Sequence, residues 1–144
     1  MSREIKFRAW DDYSKSFIED DEYLIGLNGK FYRMDFYSGV ENYEEGNLVW
    51  NELQNITLSQ FTGLLDKNGK EIFEGDLLQY DGYNFKLINK EKIYQIKYDD
   101  NLAQYYSYNL ENSFDTFLVV RAWKESKIIG NIYQNPELLG GENE

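Results

Sequence analysis

Four carboxylates stand close together in this chain, Asp66, Glu71, Glu74 and Asp76. Carboxylate oxygens converging on one magnesium ion are the ligand set of metal-assisted phosphoryl chemistry, so these four define a candidate metal-dependent hydrolase. Their spacing favours a different use. In Leu65-Asp66-Lys67-Asn68-Gly69-Lys70-Glu71-Ile72-Phe73, the Asn-Gly pair supplies the positive φ of a tight hairpin turn, and Asp66 reaches backbone amides within it. The segment fails as a calcium loop. Gly69 falls at the fourth position instead of the sixth, Lys70 occupies a ligand position, and Leu77 stands where a closing Glu is needed. Glu74-Gly75-Asp76, directly before Leu77-Leu78-Gln79-Tyr80, reads as a turn that delivers the chain into a barrel strand, with Asp76 accepting N–H groups in the loop. The expectation is no catalytic residue, no metal and no cofactor.

Other chemistries are removed by composition. With no Cys and no His, there is no thiolate zinc site, no cysteine nucleophile, no Ser-His-Asp triad and no imidazole shuttle. Zero Cys also favours a reducing compartment. The opening Met1-Ser2-Arg3-Glu4-Ile5-Lys6 shows no apolar signal region, and the longest apolar run, Phe117-Leu118-Val119-Val120, is interrupted at once by Arg121. A cytoplasmic protein is the expectation.

Fifteen basic residues against 26 acidic ones leave a net charge of −11, which argues against broad phosphate-backbone binding. The acid concentrates in the first third. Asp11-Asp12, Glu19-Asp20-Asp21-Glu22 and Glu41 with Glu44-Glu45 lie in turn-like sequence, and they read as solvated loops or as a face for a basic partner. Asp20, Asp21 and Glu22 are the candidate interaction residues of that face.

These groups must be positioned by strands. Aromatics make up 17% of the chain, and strand formers alternate with polar residues in short runs. Ile5, Phe7 and Ala9 fall on one face with Lys6, Arg8 and Trp10 on the other, and Lys92 to Tyr98 repeats the period with one clearly apolar face. Phe117 to Val120 and Lys127 to Tyr133 read as a C-terminal hairpin. Asn28-Gly29, Asn68-Gly69 and Asp81-Gly82 sit between apolar runs as hairpin turns. Leu48 to Leu58 fits either one short helix or a strand pair. The predicted fold is all-β, with a small antiparallel SH3-like barrel in the C-terminal part and at most one short helix. The predicted organisation is a β-rich segment over residues 1–58 with acidic loops, a barrel region over 59–139 and a tail over 140–144, or one integrated domain.

Small barrels bind single strands through exposed aromatics beside a basic track. Phe85, Lys86, Lys90, Lys92, Tyr94, Lys97 and Tyr98, joined by Lys6 and Arg8, form the one such track here, set against the overall acidity. Tyr105, Tyr106 and Tyr108 lie in a polar run that alternates poorly, and they read as exposed aromatics of a subunit interface.

Three segments carry a resemblance. Arg3-Glu4-Ile5-Lys6-Phe7-Arg8-Ala9-Trp10-Asp11, the stretch from Gln60 to Leu78, and Ile129-Gly130-Asn131-Ile132-Tyr133-Gln134-Asn135-Pro136-Glu137-Leu138-Leu139 together resemble the YopX family of small proteins encoded by bacteriophages and prophages. In the last segment Asn135 before Pro136 favours a turn, and Leu138 and Leu139 are placed to cap the end of a barrel. The resemblance implies a phage-related cytoplasmic protein, mainly β, with an SH3-like barrel and a tendency to form homo-oligomers. It brings no catalytic residues. The expected function is a non-enzymatic protein-interaction or self-assembly module that pairs with itself or with a host or phage protein. The alternatives are a nucleic-acid-linked role, as single-strand binder or acidic DNA mimic, and a metal-dependent hydrolase on Asp66, Glu71, Glu74 and Asp76.

Overall fold

The Asn-Gly turns form as their residues demand. Gly29 and Gly69 take φ of +78° and +81°, and in each turn a backbone N–H bond closes the loop, from Gly29 to Gly26 O and from Gly69 to Asp66 O. A computed structural model describes residues 3–19, 22–36, 48–80, 92–110 and 124–140; Asp81-Gly82, Phe85, Lys86, Lys90 and Phe117 to Val120 lie outside them.

The described strands are β1 (Phe7–Asp11), β2 (Ser16–Phe17), β3 (Tyr23–Ile25), β4 (Phe31–Phe36), β5 (Leu48–Glu52), β6 (Ile56–Leu65), β7 (Glu71–Phe73), β8 (Asp76–Tyr80), β9 (Lys92–Asp99), β10 (Gln104–Asn109) and β11 (Ser126–Asn131), followed by a 3₁₀ turn, Pro136–Leu139. The chain is all-β. Leu48 to Leu58 takes the strand-pair alternative, because β5 has β4 to pair with, from Tyr32 opposite Glu52 to Phe36 opposite Leu48. No helix among the described residues is long and apolar enough to cross a membrane.

Two compact units are present, Met1–Arg8 with Leu58–Glu144, and Ala9–Thr57; β1 and β6 each run through the boundary. In the larger unit an antiparallel sheet has the order β10-β9-β8-β11. Tyr98, Ile96 and Tyr94 of β9 stand opposite Tyr105, Ser107 and Asn109 of β10, so these six share a face. Ile96 and Leu78 of that sheet form the core with Ile72 of β7, and Leu64, Tyr105 and Ile128 pack around them. The chain turns the corner from β7 into β8 at Glu74-Gly75, where the Gly75 N–H donates to Ile96 O and its carbonyl accepts from the Ile132 N–H.

The smaller unit holds the β1–β2 hairpin, in which Trp10 meets Phe17 edge to face at 5.0 Å, and the sheet β3-β4-β5, in which Tyr23 stacks on Phe31 at 5.3 Å. The β1–β2 and β9–β10 loops share one design. An aspartate opens each, Asp11 or Asp99, and its carboxylate accepts the N–H two residues on, from Tyr13 or Asn101. A non-glycine residue near the end takes the left-handed conformation, Lys15 at φ 56° and Ala103 at φ 52°.

Candidate functional site

The four carboxylates are held by different partners. Asp66, only 5% exposed, accepts the N–H groups of Asn68 and Lys70 on Oδ1, at 2.8 and 2.9 Å, and that of Ile128 on Oδ2 at 3.0 Å. Burial pushes its carboxyl up, but the three backbone donors and the charge of Lys70 outweigh burial and hold it below the ordinary range. It therefore closes its own turn, as its sequence position suggests, and ties that turn to β11. Glu71 pairs with Lys6 at 2.7 Å. Asp76, 2% exposed, accepts from Arg8 Nη2 at 2.8 Å and from the Phe73 N–H at 2.8 Å. Burial, with a small addition from the charge of Asp66, raises the Asp76 carboxyl against the pull of Arg8 and that N–H. Among the described residues no three acidic groups are placed to hold a metal ion.

Arg8 decides which face of its strand turns inward. The alternation over Ile5 to Arg8 holds, but Ile5 and Phe7 are 64% and 44% exposed, while Arg8 points toward Asp76 and lies 5.0 Å over the Phe73 ring. A buried carboxylate needs a cation more than Phe7 needs cover.

Glu74 is different. Its backbone is fixed, with its N–H donating to Gln60 O and its carbonyl accepting from Arg8. Glu74 lines a cavity of about 380 Å³ at the end of the β9–β10 hairpin, with Tyr98, Ala103, Gln104 and Tyr105 from the hairpin, Gln60 from β6, and Arg3. Tyr98 and Tyr105 meet edge to face at 5.1 Å. Among the described residues the Glu74 carboxylate has neither a hydrogen bond nor an ion pair, and Arg3 has no ion-pair partner. Burial, then the charge of Asp100, pushes the Glu74 carboxyl up. Burial also raises the Tyr105 hydroxyl, helped by the Glu74 charge and opposed by Arg3. The lining thus combines a half-buried glutamate, two tyrosines and two glutamines with one arginine, and all but Arg3 suit a hydrogen-bond donor of positive charge.

The residues singled out from sequence fall in several places. Tyr105 is half-buried, with its ring against the core and on the cavity wall. Tyr106 and Tyr108 are half-buried on the opposite face of β10, and Lys97 lies 4.1 Å over the Tyr108 ring. Glu22 is exposed, and its carbonyl accepts the Met34 N–H. Asp20 and Asp21 lie outside the described residues. Of the basic track, Lys6 is paired with Glu71 and Glu4, and Arg8 with Asp76. Arg3, Gln60 and Gln104 carried no signal of their own, because single polar residues on separate strands converge only through the fold. Toward the C-terminus the Asn131 carboxamide oxygen accepts the N–H groups of Tyr133 and Gln134, and Asn135 Oδ1 accepts that of Asn131. The expected turn is there, leading into the 3₁₀ turn, in which Leu138 is half-buried and Leu139 is 38% exposed.

The comparisons agree with this frame. A crystal structure of protein EF1440 from Enterococcus faecalis is similar at 29% identity, covering 96% of this chain and 99% of that one, with a TM-score of 0.60. No curated protein matches. The YopX family, described as YopX protein, matches residues 6–140. That span takes in the Arg8–Asp76 pair, the Asp66 turn and the Asn131–Asn135 turn, and the chain belongs to the YopX family.

Proposed function

We propose that the chain is a phage or prophage accessory protein that works in the bacterial cytoplasm as a non-enzymatic interaction module, joining a second copy of itself and, beyond that, a host or phage protein. The observation behind this reading is the division among its carboxylates. A hydrolase on these residues needs at least two of them on one ion or one substrate, whereas Asp66, Glu71 and Asp76 each face a different internal partner. Glu74 alone is left on a cavity, among groups that bind. The SH3-like barrel expected for residues 59–139 belongs to the same reading, since such barrels take peptide segments in aromatic-lined grooves. A single-strand-binding role draws no support from Lys6 and Arg8, whose charges are matched by Glu71 and Asp76.

The test pairs light scattering across a concentration series with a panel of nucleotide and phosphodiester substrates in magnesium or manganese. The reading expects masses above that of the 17.2 kDa chain and no turnover. Metal-dependent turnover that disappears in Asp66→Asn would overturn it.

A further inference from the structure

The cavity at the β9–β10 hairpin has a composition that selects its occupant. Its lining includes one acid, Glu74, one base, Arg3, the two glutamines Gln60 and Gln104, and the two tyrosines Tyr98 and Tyr105. At about 380 Å³ it sits at the small end of ligand pockets, room for one side chain or a compact molecule. An apolar occupant would leave the Glu74 carboxylate desolvated and unmatched. An anion would meet Arg3 but also Glu74, with Asp100 adding to the negative potential there.

We propose that this cavity holds the guanidinium of an arginine side chain presented by a partner protein. The proposal rests on the interaction reading above and gives it a contact residue. A guanidinium is planar and permanently charged, and its five N–H donors match a carboxylate and two amide carbonyls at once. Its face stacks on tyrosine, where the ring quadrupole attracts a cation. A lysine ammonium has three donors on a point charge and satisfies fewer of these acceptors. The net charge of −11 draws a basic partner toward the protein before any contact forms. Arg3, exposed on the cavity wall, opposes the incoming cation, so the two charged residues of the lining act with opposite sign.

That opposition supplies the test. The full chain, labelled with ¹⁵N, is titrated with N-acetyl-arginine amide, N-acetyl-lysine amide and N-acetyl-glutamate amide while the amide resonances of Ala103, Gln104 and Tyr105 are followed. The arginine probe gives saturable shifts, the lysine probe binds more weakly, and the glutamate probe gives none. Glu74→Gln weakens the arginine probe about tenfold, the loss expected of one hydrogen-bonded charge, and Arg3→Gln tightens it. Arg3 is exposed and makes no hydrogen bond or ion pair among the described residues, so its variant reports on charge with folding left intact. Absence of a saturable shift with the arginine probe, or the reverse order of the two variants, overturns the assignment. The interaction reading fails separately. Self-association that persists unchanged in Glu74→Gln, with a silent cavity, removes the site and leaves the module. A cavity that takes the arginine probe in a protein that never associates leaves the site and removes the module.

Discussion

Asp66→Asn weakens one of two ties between the hairpin turn and β11, the other being the Lys67 N–H to Ser126 O bond. The aspartate uses both oxygens, Oδ1 for the turn amides of Asn68 and Lys70 and Oδ2 for Ile128. Asparagine keeps one acceptor and places an NH₂ where the other stood, so one side of the arrangement faces a donor with a donor. If the amide oxygen stays with the turn, the loss falls on the Ile128 N–H. Leaving a half-buried N–H without a partner costs roughly 1–3 kcal/mol, and losing the charge of the acceptor weakens the two remaining bonds by about 0.5 kcal/mol each. The turn amides belong to exposed residues, where water replaces part of what is lost. The sum is about 2–4 kcal/mol, or roughly 10 °C in Tm for a chain of this size. The pH dependence has a definite sign. Because the folded protein holds the Asp66 carboxyl below its ordinary value, its contribution is complete above about pH 4 and fades as pH falls through the lower folded value. Urea denaturation of both proteins at pH 7 and at pH 3 measures it. The gap between wild type and Asp66→Asn should be full at pH 7 and narrowed at pH 3. A gap under about 0.5 kcal/mol at pH 7, or one that stays constant with pH, would refute the reasoning.

Three further substitutions follow from the same geometry. A Cβ on Gly130 would run into Asn135 Oδ1 and lie 3.1 Å from the Asn135 Cβ, so Gly130→Ala must displace the group that accepts the Asn131 N–H; a loss of about 1–3 kcal/mol by denaturant titration is expected, partly relieved in the double variant with Asn135→Ala. Ala103 holds φ 52°, so Ala103→Gly relieves left-handed strain and should raise stability by about 0.5 kcal/mol, the strain relief exceeding the added unfolded-state freedom. The fold raises the Glu74 carboxyl, so the wild type loses stability as pH climbs from the ordinary glutamate value through the raised one. Glu74→Gln should therefore melt higher than wild type at pH 7, with the difference gone in acid, while weakening the arginine probe.

Local structure was legible where one residue type dictates a conformation. The Asn28-Gly29 and Asn68-Gly69 turns could be read because few other pairs tolerate positive φ, and Asp66 could be assigned to its own turn because its amides lie within four residues. Its third bond, to Ile128, and the Arg8–Asp76 pair join residues more than sixty positions apart, and no spacing rule reaches that far. The left-handed Lys15 and Ala103 carry no glycine to mark them; the usable signal was the aspartate four residues earlier, Asp11 or Asp99, set to accept the N–H groups of the loop. On β10 the inward face is Tyr105, Ser107 and Asn109, so polarity points the wrong way and the period is hidden. In Ile5 to Arg8 the period could be read but not which face turns inward, which the buried Asp76 decides by drawing Arg8 in. The cavity around Glu74 could not be read at all, since Arg3, Gln60 and Gln104 are remote in sequence and ordinary alone.

The solution mass of the purified full chain, followed by light scattering across a concentration series at two salt levels, tests the interaction reading most directly. The account predicts a mass above 17.2 kDa that grows with concentration toward a defined multiple. A mass of 17.2 kDa at every concentration and in both salts would contradict it.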